Sequence, residues 1–135
     1  MPTVNSLDEL AELVTDRPPV YLRYCAGPEA DDGHVSRDYE SGLALPGLPT
    51  VGLEPPEWWT RPLWDWLARQ TCKYAHLSER DSDRYAWLLN GREVGRGPDY
   101  EPLIADPRPL AVLGEGAIRQ ARHRYHDRFE VGRAS

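Results

Sequence analysis

The chain has little of several residue types that would settle a function quickly. Among 135 residues there are two cysteines, one methionine and one phenylalanine. Cys25 and Cys72 stand far apart, with no CxxC and no Cys/His cluster, which argues against a zinc site; no metal is expected. Two such thiols suit a reducing compartment, where both are expected to be buried. No apolar run approaches the roughly 20 residues that cross a bilayer. The opening MPTVNSLDELAEL lacks the basic and apolar regions of a secretory signal. No membrane partner is therefore expected, and the expected location is the cytoplasm. A basic excess is missing too: the net charge is −6 and the pI about 5.2, which argues against a nucleic-acid partner. Nucleotide motifs are also wanting. GREVGRG (91–97) is neither a dinucleotide fingerprint nor a P-loop, and Pro98 obstructs a helix start there. Ser41 is not in a G-x-S-x-G elbow. No cofactor is expected.

What the chain does have is tryptophan, tyrosine, proline and glycine. Five Trp and seven Tyr offer large apolar area with a polar handle, suited to cores and to ligand walls alike. Ser6 followed by Glu9 forms a capping box, and Leu7, Leu10 and Val14 share one helical face. VYLRYC (20–25) reads as a strand, with Tyr21, Arg23 and Cys25 on one side and Val20, Leu22 and Tyr24 on the other. Residues 26–57 are rich in Gly and Pro, and either contain short strands or wrap a site. A helix is expected from Arg61 or Pro62 to Tyr74, with Trp59, Leu63, Trp66 and Leu67 at helical spacing and Asp65 paired outside with Arg69. RYAWLLN (84–90) reads as a strand, Asn90-Gly91 as a hairpin turn, and REVGR as the return strand. PLAVL (109–113) is a further strand, and a last helix buries Ile118, Ala121, Tyr125 and Phe129. The order predicts an α+β fold: one domain over 1–135, with a small, mostly antiparallel sheet against two or three helices and a long Gly/Pro-rich loop.

Two short segments share a pattern. GPEAD (27–31) and GPDYE (97–101) each carry Gly-Pro, an acid, any residue and another acid. Acids in such turns can simply accept backbone N–H bonds. The alternative is a site in which Asp31, Asp99 and Glu101 converge with Arg23 or Arg96. Arg23 lies within an aromatic strand, and arginine is rarely buried without a partner. It suits a phosphate or carboxylate, or an ion pair with Asp31 or Glu101. Trp58 and Trp64 fall nearer the helix face opposite Trp59 and Trp66. The favoured expectation is that residues 41–56 cover them; left exposed, they would mark a binding patch. His123 and His126 belong on a basic helix surface.

The residues YLRY (21–24) with GPEAD, DYESGLALPGL (38–48), PPEWW (55–59), DWLARQ (65–70) with KYAHL, and GRGPDYEPL (95–103) resemble an uncharacterised family of small actinobacterial proteins, over nearly the whole chain. That resemblance implies a free-standing intracellular bacterial domain and brings no activity with it. In chain order, Arg23, Ser41 and Glu101 also resemble ADP-ribosyltransferase-like folds. There the resemblance implies that Arg23 binds the phosphates of a nicotinamide dinucleotide, that Ser41 supports the sugar, and that Glu101 stabilises an oxocarbenium-like centre. The chain departs from that pattern: Ser41 sits in a Gly/Pro loop, and the position two before Glu101 is Asp99 rather than Glu. The leading expectation is a domain that binds a polar small molecule or a protein partner, including a second copy as a homodimer. Arg23, Asp31, Arg96, Asp99 and Glu101 would be its polar anchors, with Trp58 and Trp64 among its walls.

Overall fold

Local signals set the first elements. In the computed structural model, which describes residues 1–25, 36–38, 40–73 and 85–129, helix α1 spans Leu7–Asp16. Ser6 Oγ accepts the Glu9 N–H at 3.1 Å, as the capping box requires. Leu7, Leu10, Ala11 and Val14 form its buried face. Helix α2 spans Leu63–Cys72 and helix α3 spans Glu115–Arg128. Pro62 stands immediately before α2, where its missing N–H costs nothing.

The strands are β1 (Thr3–Val4), β2 (Tyr21–Cys25), β3 (Leu48–Pro49), β4 (Val51–Gly52), β5 (Tyr85–Arg96) and β6 (Pro102–Leu113). Among the described residues they make one six-stranded sheet in which only the β1–β6 pairing is parallel. The α+β class and the largely antiparallel sheet agree with expectation. The short strands within 26–57 turn out to be β3 and β4, while residues 26–35 and 39 lie outside the described set. Strand β1 carries too little pattern to be read from sequence; β6 recruits it through Thr3↔Val112 and Val4↔Leu113.

Asn90-Gly91 is not a turn. Both residues lie inside β5, and the hairpin closes at 97–101 instead. Asn90 Nδ2 donates to the Pro19 carbonyl at 2.8 Å, so its amide ties β5 to the start of β2. Gly91 is needed for a different reason than a turn: a Cβ there would collide with the Ile104 side chain from β6. Register shifts between 88 and 95 bend this long hairpin. The bend lets the sheet curl. Residues 48–52 then bridge it, since β3 pairs with β6 while β4 pairs with β2. Thr50, between them, is buried, and both its N–H and its Oγ1 donate to the Pro102 carbonyl at 3.0 Å.

Alternation along the strands makes two cores. Leu22, Tyr24, Ala86 and Leu88 face the helices, joining Leu10, Val14 and Leu67. Tyr21, Leu48, Trp87, Leu89 and Ile104 form a second cluster within the curl.

The helices are fastened by polar groups that no single segment reveals. Gln120 Oε1 accepts the Leu7 N–H at the start of α1, and Asn5 Oδ1 accepts the Gly116 N–H at the start of α3. Asp65 was expected outside with Arg69. It is instead 2 % exposed, and α3 lies across it. Its Oδ1 accepts Arg124 Nε at 2.7 Å and its Oδ2 accepts Arg61 Nε at 3.1 Å. Arg69 donates to Gln70 Oε1 and covers the Trp66 ring. An i,i+4 spacing shows which side chains are neighbours on a helix but not which helix packs over them.

Candidate functional site

The hairpin turn is built by its own sequence. Pro98 pre-sets φ after Gly97, the Tyr100 N–H donates to the Gly97 carbonyl at 2.9 Å, and the Gly97 N–H donates to the Glu101 carbonyl at 2.8 Å. This is a three-residue loop whose last position is left-handed. Tyr100 occupies that position with φ 63°. Non-glycine residues there cost about 1–2 kcal/mol, so an exposed tyrosine is a poor choice for stability alone. Glu101 turns its carboxylate back into the loop, where Oε2 accepts the Asp99 N–H at 2.8 Å. A Cβ at Gly97 would meet this carboxylate and have to push it aside. In this copy of the pattern, an acid does bond the backbone of its own turn.

The turn also encloses space. Arg23, Pro49, Val51, Asp99 and Glu101 are among the residues lining a cavity of about 230 Å³. Arg23 is half-buried on the curl side of β2, and its Nη1 donates to the Pro49 carbonyl at 2.9 Å. Thus Arg23 meets Asp99 and Glu101 at one cavity. Asp31 and the rest of GPEAD lie outside the described residues.

A larger cleft, about 470 Å³, shares Thr50, Val51 and Glu101 with the first. Its walls include Tyr21, Trp58, Tyr100, Glu54, Glu93 and Arg96. Arg96 pairs with Glu93 through Nε at 2.8 Å, and its guanidinium lies 5.1 Å from the centre of the Tyr100 ring. Burial raises the Tyr21 phenol pKa; Glu93 and Glu54 push it the same way and Arg96 opposes them. The phenol is therefore neutral at pH 7, a donor as well as an acceptor on the cleft wall.

The two candidate tryptophans part company. Trp58 is 73 % exposed and stands at the large cleft, so residues 41–56 do not cover it as favoured above. Its neighbour Trp59 takes the inward position, with its ring centre 5.0 Å from that of Trp66. Trp64 is on the helical side, where its Nε1 donates to Asp8 Oδ1 at 2.8 Å beside Arg119 and His123. Ser41 is exposed in a separate turn, donating to Asp38 Oδ2 at 2.6 Å, and lines neither cavity. Tyr21, Thr50, Glu54, Glu93 and Tyr100 were missed as site residues. Only Tyr21 carried a signal, since alternation sets it beside Arg23; the others arrive through the closure at 48–52 and the displaced turn.

Among the described residues, no group of His, Cys, Asp and Glu is arranged to hold a metal ion, and no helix is long and apolar enough to cross a membrane. His123 pairs with Asp127 at 3.2 Å on the surface. His34 and His76 lie outside the described residues. Cys72 is a free thiol and only half-buried, against the expectation of full burial. Burial still pushes its pKa from 9.0 to about 11, with Arg122 opposing. An acid with a raised folded pKa keeps its proton while the unfolded chain loses it. Its contribution to stability is therefore complete below pH 9 and declines toward about 11. In a Cys25→Ser background, iodoacetamide at pH 8 is expected to modify Cys72 about 10- to 100-fold more slowly than glutathione. Equal rates would contradict this burial.

A family model, described as that of a family of unknown function, matches residues 1–134. No curated protein and no solved structure matches the chain. The likeness to ADP-ribosyltransferase-like folds thus rests on Arg23, Ser41 and Glu101 alone, and the structure brings only Arg23 and Glu101 together.

Proposed function

We propose, for a chain that belongs to the family of unknown function DUF6098, that its role is to bind a small polar molecule in the neighbouring cavities at the hairpin end of the curled sheet. One observation carries the reading. Arg23 from β2 and Asp99 and Glu101 from the turn, distant in sequence, line one cavity that shares Thr50, Val51 and Glu101 with a larger aromatic-walled cleft. A few convergent polar groups on an apolar floor are the usual make-up of a ligand site. The retained left-handed Tyr100, exposed beside that cleft, supports it. A free thiol and an acidic balance suit the bacterial cytoplasm as its setting.

The test is a thermal-shift screen with amino acids, amines, saccharides, nucleosides, sugar phosphates and a nicotinamide dinucleotide. At least one compound is expected to raise the midpoint by about 2–6 °C at saturating concentration. The shift should vanish in Trp58→Ala and survive in Trp64→Ala, which sits on the helical side. A shift that depends on Trp64 and ignores Trp58 would place the site elsewhere. A protein partner, or a second copy of the chain, would instead cover Trp58 and Tyr100 without any response to small molecules.

A further inference from the structure

Resting on that reading, we infer that the large cleft takes a small organic cation, one positive charge on an apolar body. The cleft already seats such a group of its own. Arg96 pairs with Glu93 through Nε at 2.8 Å, and its guanidinium lies 5.1 Å from the centre of the Tyr100 ring. At this rim one carboxylate and one aromatic ring hold one cation.

The same two parts occur a second time without the third. Glu54 and Trp58 both line the cleft from the segment that follows β4. Glu54 is exposed and has no ion pair among the described residues. The rings of Trp59, Trp66, Tyr100 and Phe129 each lie under an arginine. Trp58, at 73 % the most exposed tryptophan, has no such cation among the described residues. An indole is the best of the side-chain rings for a cation, and a carboxylate in the same cleft adds its charge.

The charges of the lining agree. Glu54, Glu93 and Glu101 face Lys73 and Arg96, which leaves one negative charge in excess. Arg96 is spent on Glu93, and Lys73 has an interaction of its own. Glu101 takes only the neutral Asp99 N–H. Tyr21, on the same wall, registers the balance: after burial, Glu93 and Glu54 raise its pKa, each by more than Arg96 lowers it. An anion meets that excess and is repelled. A neutral ring, such as a sugar, stacks on Trp58 but leaves the charge unanswered. A single organic cation answers both, and Val51, Leu53, Pro56 and Pro102 offer apolar surface for its body. The cleft, at about 470 Å³, is within the range of small-molecule sites.

Isothermal titration of the full chain with choline and with phenethylammonium tests this. Each is paired with its neutral counterpart: choline's tert-butyl analogue, in which carbon replaces the charged nitrogen, and phenethyl alcohol. Glucose and inorganic phosphate are parallel arms. At least one cation is expected to bind with Kd near or below about 1 mM, at least about tenfold tighter than its counterpart. Trp58→Ala and Glu54→Gln should each weaken it at least about tenfold with circular dichroism unchanged, since both side chains are exposed. Arg119→Ala, on the helical side, should bind as the wild type does. A cation and its counterpart binding equally would overturn the inference of charge and leave the cleft as the site. So would Trp58-dependent binding of glucose or phosphate with both cations silent. Silence in every arm would remove both.

Discussion

Asp65→Ala should lower the stability of this protein by about 3 kcal/mol, among the largest losses of any single substitution outside the apolar core. The carboxylate is 2 % exposed and holds Arg124 of α3 at 2.7 Å and Arg61 at 3.1 Å, with Arg128 4.0 Å away. Removing it leaves guanidinium groups facing one another under a helix. The value is set at the low end of the range for a broken buried pair because the side chains of Arg61 and Arg128 remain 41 % and 56 % exposed, so water can screen them. Arg61 also reaches the Arg128 carbonyl at 2.7 Å and lies 4.2 Å from the Phe129 ring centre, so the loss should be felt as a loosened end of α3. Asp65→Asn keeps acceptor oxygen but no charge and should fall between the two. Urea unfolding measures all three; a loss under about 1 kcal/mol for alanine would mean that the Asp65 ion pairs do little to hold α3.

Trp87→Ala should cost about 3–5 kcal/mol. Trp87 is 1 % exposed and is the largest member of the cluster within the curl, with Tyr21, Leu48, Leu89 and Ile104. Among the described residues its cluster has only four other members, so little side-chain volume is at hand to fill the space. The same cluster shapes the cleft, because Tyr21 belongs to both. The variant is thus expected to lose ligand response along with stability, whereas Trp58→Ala loses the response alone. Wild-type binding by a folded Trp87→Ala variant would show that the cleft does not depend on the inner core.

How much of this was legible follows from the range of each signal. Capping at Ser6, the alternation at 20–25 and the last helix depend on residues within a few positions of one another, and the sequence displays them. Asn90-Gly91 shows the limit. Its dipeptide has the strongest short-range turn signal in the chain, yet Gly91 serves the Ile104 side chain from a strand more than ten residues on. Once the turn moves to 97–101, Asp99, Tyr100 and Glu101 move with it to the mouth of the curl. Arg23 was identifiable because an arginine among aromatics is out of place. Glu54, Glu93 and Thr50 were not, since charged and hydroxyl residues in loops and edges are ordinary until closure brings them together. Asp65 was misread for the same reason: helical periodicity assigns a face, and the third dimension decides what covers it.

The five indole N–H signals of an amide-correlation NMR spectrum offer the most direct reading of the cleft, because the tryptophans include residues at the cleft, on the helical side and within the curl. Titration with the compound that gives the largest thermal shift should move the signals of Trp58 and Trp66. Trp64, bonded to Asp8 on the helical side, should stay fixed. Backbone amides at 50–54 and 97–101 should move with the first two. A spectrum in which Trp64 and the amides of α3 respond while Trp58 and Trp66 remain still would put the ligand on the wrong side of the sheet and end the case for this cleft.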